Sequence, residues 1–283
     1  MQRPLCLIHA NCQGDTLQRL LSLTPGFSRR FEVKKYTNYL KERIPEDDFA
    51  RCRVFLYQHL SDRWDDMSSA SLLRHVPPEA CVLKIPNMFF KGYWPLWTNK
   101  TFMAYGDLLL EHLAERGLTQ QEILRIFLHG DLARKYDLAA LAEESLEYER
   151  VKETGAVVGT VDIVRELWRK EQLFLTVNHP GSRLLLHVAD GVLRALGLEP
   201  MPESVRRAFI HEYEDFEQPI HPQVGAFFHL PFATEKRRYR IYATTMPFHE
   251  YAACYVACRL QRFDDFAVFL NVLSNNREKL PLL

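Results

Sequence analysis

The chain has 283 residues, 47% of them hydrophobic and 25% charged, the composition of a globular protein with a substantial core and not of a disordered one. Its 36 Lys and Arg balance 36 Asp and Glu, so it lacks the basic excess that a dedicated nucleic-acid binder carries. No apolar run approaches the ~18 residues that span a bilayer, and six scattered cysteines without a Cys-x-x-Cys pair point to a reduced, cytoplasmic setting and not to a disulfide framework.

Met1 to Ala10 is too short in its apolar part for a signal-peptide core, and Leu5–Ala10 reads instead as a first, buried strand. Leu17, Leu20 and Leu21 fall at helical spacing within Gln13–Leu23, which Pro25 and Gly26 stop. Strands are expected at Phe31–Lys35, Val54–Tyr57 and Cys81–Ile85, with a short helix over Ser68–Arg74. This alternation predicts an α/β fold, a mostly parallel sheet flanked by helices on both faces. From Tyr105 to Lys170 the pattern is helical. Thr119 with Glu122 makes a capping box, and Asp131 is expected to cap a longer helix through Glu153. The acidic stretch from Glu143 to Glu149 reads as a solvated face. Strand character returns at Leu173–Val177, a turn follows at Asn178–Gly181, and Ser182–Leu196 forms a helix closed by Gly197. Farther on, Lys236–Thr244 suggests a strand, and Tyr251–Arg259 and Asp264–Ser274 suggest helices. No repeat or linker divides the chain, so the expectation is a single α/β domain with a helical insertion at about 105–170.

Two short segments stand out chemically. In Ile8-His9-Ala10-Asn11-Cys12-Gln13-Gly14-Asp15 a buried strand turns almost at once into a helix, with Cys12 at the helix N-terminus. Free N–H groups and partial positive charge there favour a thiolate and an oxyanion. The carboxyl end of a first parallel strand is also where such sheets bind ligands. In Val177-Asn178-His179-Pro180-Gly181-Ser182 a second strand ends, and His179 sits before a helix, well placed for a general base. A small structural cysteine and a solvent-facing histidine are the competing readings. Taken as a pair, both residues belong on strand-end loops that can meet at one sheet edge. Cys254 and Cys258 share a helix face at i, i+4, too few ligands for a metal, and no metal site is expected. There is no Walker loop and no Gly-x-Gly-x-x-Gly after the first strand.

A nucleophile after the first strand and a late His-Pro resemble the layout of SGNH-type esterases and acetyltransferases. Thr176 stands where that family has its acid, so the standard triad is absent. A closer resemblance joins Asn11-Cys12-Gln13-Gly14, Tyr57-Gln58-His59, Gly92-Tyr93-Trp94-Pro95 and Asn178-His179-Pro180. In order and spacing these resemble the WcbI-type family of capsular-polysaccharide biosynthesis proteins. That resemblance implies coenzyme A or acetyl-CoA as cofactor, and O-acetylation of a sugar or polysaccharide-precursor hydroxyl. It implies Cys12 and His179 as the catalytic pair, with Asn11, Gln13, Gln58 and Asn178 lining the pocket or serving the oxyanion.

Under this reading Cys12 either takes the acetyl group or merely lines the pocket while His179 activates the sugar. The backbone N–H groups of Cys12 and Gln13 would form the oxyanion hole, worth ~3 kcal/mol per donor. The CoA phosphates call for Arg or Lys. Lys236, Arg237 and Arg238 form the densest basic cluster. Lys84 and Lys91 flank an aromatic stretch that includes Tyr93, Arg183 opens the helix after the His-Pro turn, and His9 lies beside the first motif. These residues are the expected cofactor contacts. The alternatives are an esterase acting on water and a CoA- or nucleotide-binding protein without catalysis.

Overall fold

All six residues of strand β1, Leu5–Ala10, are buried, which suits only a strand covered on both faces. The computed structural model describes residues 3–99, 105–209, 216–263 and 265–275. β1 is followed by helix α1 (Gln13–Leu23), strand β2 (Glu32–Thr37), helix α2 (Glu46–Arg51), strand β3 (Cys52–Tyr57), helix α3 (Ser69–Leu73) and strand β4 (Cys81–Lys84). The four strands form one parallel sheet in the order β2-β1-β3-β4. Helix α4 (Ser182–Ala195) packs beside α1.

Side chains alternate across β1 and feed two cores. Leu5 and Leu7 join Phe55 of β3, Phe49 of α2 and Leu72 of α3. On the other face Ile8 and Ala10 meet α1 at Gly14. A Cβ there would lie 2.8 Å from the Ala10 Cβ and 3.4 Å from the Ile8 Cγ2, so only glycine lets the helix come this close. α4 adds Leu184, Leu185, Val188, Val192 and Leu193, buried at helical spacing. Each such side chain contributes about 1.5–3 kcal/mol by leaving water.

Strand ends follow the partner strand and not local composition. The six residues of β1 pair Leu5 with Glu32 through Ala10 with Thr37, so β2 runs two residues past the expected Lys35. Leu5 also pairs with Cys52, which extends β3 backward by two residues. Asp131 caps only a four-residue helix, Leu132–Lys135, because the backbone turns extended at Tyr136. Asp137 then opens the long helix Leu138–Glu153, its Oδ1 accepting the Ala140 N–H at 2.9 Å. The expected strand at Lys236–Thr244 is a hairpin of Arg238–Ile241 and Thr244–Pro247. Tyr242, at φ 52°, takes the left-handed conformation that a two-residue turn demands. The helix expected from Asp264 runs Phe266–Asn275, and Asp264 itself lies outside the described residues.

The described residues cluster into two compact units. The first holds residues 3–89, 148–166 and 179–209, including the parallel sheet. The second holds residues 90–99, 105–147, 167–178, 216–263 and 265–275. It is mainly helical, and its aromatic core groups Phe90, Tyr93, Trp168 and Phe174. The Thr119–Glu122 capping box is formed there. Glu143, Glu144 and Glu147 are exposed, but Glu149, in the first unit, is buried and bound by the Lys152 Nζ at 2.7 and 2.9 Å. Burial pushes its carboxyl up to about 7. The acidic stretch is therefore not wholly a solvated face. Among the described residues no helix is long and apolar enough to cross a membrane.

Gly14→Val tests the close approach of α1 to β1. The added atoms overpack the contact with Ala10 and Ile8, and the urea-unfolding free energy should fall by about 1–3 kcal/mol. An unchanged midpoint would show that the helix can retreat from the sheet without cost.

Candidate active site

The chain leaves β1 for β2 on one side and returns to β3 on the other. In open parallel sheets such a reversal marks the place where ligands enter, here beyond the carboxyl ends of β1 and β3. Three strand-end segments of the first unit meet there. They are Asn11–Gln13 after β1, Gln58 after β3 and Pro86–Met88 after β4.

Buried amides lock these segments together. Gln58 accepts the Asn11 N–H on Oε1 at 2.8 Å, and its Nε2 donates to Gln13 Oε1 at 3.2 Å and to the Pro86 carbonyl at 3.3 Å. Gln13 Nε2 donates to the Met88 carbonyl at 2.7 Å, while its Oε1 accepts the Met88 N–H at 3.1 Å. Asn11 Nδ2 reaches Asn87 Oδ1 at 3.1 Å. Asn11 Oδ1 accepts the Gln13 N–H at 2.9 Å, and its carbonyl accepts the Gly14 N–H. Gln13 and Gln58 thus frame the turn from within, and the Gln13 amide expected in the oxyanion hole already has an acceptor. The Cys12 N–H has none among the described residues.

Cys12 is half-buried at the start of α1, and its Sγ lies 3.4 Å from Nε2 of His179, just ahead of α4. Other thiols have different surroundings. Cys6 lies wholly inside the sheet, where burial first, and the thiols of Cys52 and Cys81 next, raise its pKa well above the ordinary value. Burial pushes Cys52 up to about 11. Cys254 and Cys258 are buried on the helix Phe248–Leu260.

Two neighbours escaped sequence reasoning. Asn87 is signalled only by a Pro-Asn after a buried strand. Tyr39 is an exposed aromatic whose phenol is raised by partial burial and then by the charges of Cys12 and Asp15, which puts it within electrostatic reach of the thiol. Lys35 bridges Asp15 at 2.8 Å and Thr37 at 2.7 Å on the same rim.

Other expected contacts fall elsewhere. His9 is 1% exposed on the face of β1 shared with Leu5 and Leu7, and its Nε2 is buried with no partner among the described residues. Lys84 donates to the carbonyls of Lys152 and Thr154, closing the end of the helix Leu138–Glu153. Arg183 is exposed in the first turn of α4, in the same unit as Cys12. Lys91, Tyr93, Asn178, Lys236, Arg237 and Arg238 all belong to the second unit. There the Lys91 Nζ lies over the Trp97 ring. Tyr93 is fully buried, its hydroxyl donating to the Trp168 carbonyl at 2.7 Å and accepting the Leu173 N–H. Asn178 Oδ1 accepts the Thr176 hydroxyl at 3.0 Å. Arg237 turns inward to Gln172 and Glu217. Arg238 holds Thr245, and Lys236 and Arg238 face solvent.

The model of the family described as the polysaccharide biosynthesis enzyme WcbI matches residues 5–201 of the chain. A solved structure described as WcbI, a novel polysaccharide biosynthesis enzyme, superimposes with a TM-score of 0.74 at 18% identity, covering 98% of this chain and 96% of that one. It is the native form of that protein, without a disulfide bond between coenzyme A and one of its cysteines. No curated protein matches the chain.

The buried His9 makes a testable contribution to stability. Burial lowers its pKa to about 4 in the fold, against about 6.5 when unfolded. The unfolded chain therefore binds the extra proton between those values. Stability from this group is complete above the unfolded value and is lost as pH falls toward 4. In His9→Phe the difference in unfolding free energy between pH 7 and pH 4 should shrink by about 3 kcal/mol relative to the parent. Urea titrations at both pH values decide it, and identical pH dependence in the two proteins would refute a neutral His9.

Proposed function

Because the chain belongs to the WcbI family of polysaccharide biosynthesis enzymes, we propose that it transfers an acetyl group from acetyl-CoA to a sugar hydroxyl of a capsular-polysaccharide precursor. The observation that carries this reading is the 3.4 Å approach of the Cys12 Sγ to the His179 Nε2 at the carboxyl edge of a parallel sheet. A coenzyme A thioester suits the chemistry of this site. A half-buried nucleophile stands at a helix N-terminus, a base is within reach, and the Cys12 N–H, with no acceptor among the described residues, is available for an oxyanion. Coenzyme A is named with a cysteine of the solved WcbI protein, in a form without a disulfide bond between them, and this supports the same donor here.

In the first step His179 takes the Cys12 proton and the sulfur attacks the acetyl carbonyl. The thioester C–S bond of the donor breaks, its thiolate regains the proton, and Cys12 carries the acetyl group. In the second step His179 removes the proton of the sugar hydroxyl, whose oxygen attacks the acetyl carbon. The ester forms, Cys12 leaves as thiolate, and the proton returns to it through His179. The Cys12 N–H stabilises the oxyanion of both steps. Arg183, exposed beside the His-Pro turn, is the candidate partner in this unit for the donor's phosphates.

Intact-mass measurement after mixing with acetyl-CoA should show one added acetyl group on Cys12, discharged when acceptor sugar is added. Limiting alkylation near neutral pH should label Cys12 before the buried thiols. His179→Ala should lower turnover by ~10²–10⁴-fold while CoA affinity barely changes. If His179→Ala loses CoA binding but keeps its rate per bound complex, the base assignment fails. Acetyl-CoA consumption that needs no sugar would make the protein a hydrolase. Binding without any turnover would make it a carrier of the ligand.

A further inference from the structure

The second unit contains a cavity that the Cys12 chemistry leaves unexplained. It holds about 560 Å³ of space free of protein atoms, part of it open solvent. Its walls are aromatic, with Trp94, Trp97, Phe127 and Phe248 among the lining residues. Among the described residues no Lys or Arg lines it.

Most polar groups on the wall are already committed. Trp94 Nε1 donates to the carbonyls of Gln218 and Pro219. His221 joins its Nε2 to the Phe127 carbonyl and accepts the Gln223 N–H on Nδ1. The Tyr255 hydroxyl donates to Glu111 at 2.6 Å. Among the described residues, Gln218 Oε1 and the Tyr251 hydroxyl are buried without a hydrogen-bond partner, in side chains only 5% and 6% exposed. Leaving such atoms unpaired is costly, and a native fold keeps them for a reason. Beside them Tyr105 holds a left-handed backbone, φ 59°, which a bulky side chain adopts only when its surroundings enforce it.

We infer that this cavity binds an uncharged pyranose ring of the acceptor, its C–H face against the aromatic wall and its hydroxyls satisfying Gln218 Oε1 and the Tyr251 hydroxyl. The cavity is read from the structure alone, whereas naming its occupant a sugar rests on the transferase reading above. Among the described residues the wall offers no cation to a phosphorylated ligand, whose charge would be buried uncompensated. Aromatic faces with a few aimed polar groups are the usual build of a site for a neutral, hydroxylated ring. Tyr251 remains a neutral phenol, because burial keeps its pKa well above the ordinary value.

The test uses the whole protein and methyl pyranosides of glucose, galactose and mannose, with their N-acetylamino counterparts. Saturation-transfer NMR should detect at least one of them, with its C–H face closest to the protein. Gln218→Leu and Tyr251→Phe should each weaken binding by about tenfold, the loss of one hydrogen bond. Both variants should unfold at the same or higher urea concentration than the parent, since each removes an unpaired buried polar atom, so lost binding is not lost folding. CoA affinity and alkylation of Cys12 should be unchanged in both. No sugar binding at millimolar concentration, or binding indifferent to both substitutions, overturns the inference while acetylation of Cys12 leaves the transferase reading intact. Loss of CoA affinity in either variant would assign the cavity to coenzyme A and also overturn the inference. Failure of Cys12 to accept acetyl, with sugar binding retained, would sink the transferase reading and leave the cavity.

Discussion

Two glutamine side chains determine where the Cys12 thiol stands. Gln58 uses its oxygen for the amide just ahead of Cys12, and its nitrogen for Gln13 and the Pro86 carbonyl. Gln13 uses both ends on Met88. The turn that carries Cys12 is therefore tied to the ends of two other strands. In a low-dielectric interior such a network is strong only while every member is satisfied, and each orphaned group costs about 1–3 kcal/mol. A loop built this way behaves as part of the core and not as a mobile surface segment.

The backbone completes what the amides begin. Only Asn11 and Cys12 separate β1 from α1, so the helix starts directly over the sheet edge. Gly14 permits that placement by removing the atom that would strike Ala10. The result is a sulfur at a helix N-terminus, half-open to ligand, beside an imidazole. Cys6, six residues earlier and inside β1, is wholly enclosed, and its thiol is pushed away from ionisation. Identical side chains differ in chemistry here because one points into the sheet and the other stands past its end.

Much of the parallel sheet could be read from composition. β1 and α1 have the limits expected of them, since a continuous apolar run and a leucine stripe ending at Pro-Gly are strong local signals. β2 and β3 shifted because pairing with β1 sets their ends. Asp131 misled because several residues in one stretch could each cap a helix, and the extended backbone at Tyr136 decided between them. At the site, Cys12 and His179 were legible as chemistry at strand ends. His9, Lys84 and Tyr93 were not legible as structural residues, because a chemically able side chain looks the same in sequence whether it faces a ligand or the core. Gln58 is the instructive case. Its amide looked like a pocket donor, and the fold spends it on holding the loop.

The long hydrogen bonds across this site have a consequence for the order of assembly. Asn11 meets Gln58 across 47 residues, Gln13 meets Met88 across 75, and Cys12 meets His179 across 167. Contacts so distant in sequence form late, after the loops between them have been closed at an entropic cost. During synthesis Cys12 leaves the ribosome 167 residues ahead of His179. The growing chain thus carries this thiol without its imidazole, and the paired site forms only once the segment leading into α4 has emerged.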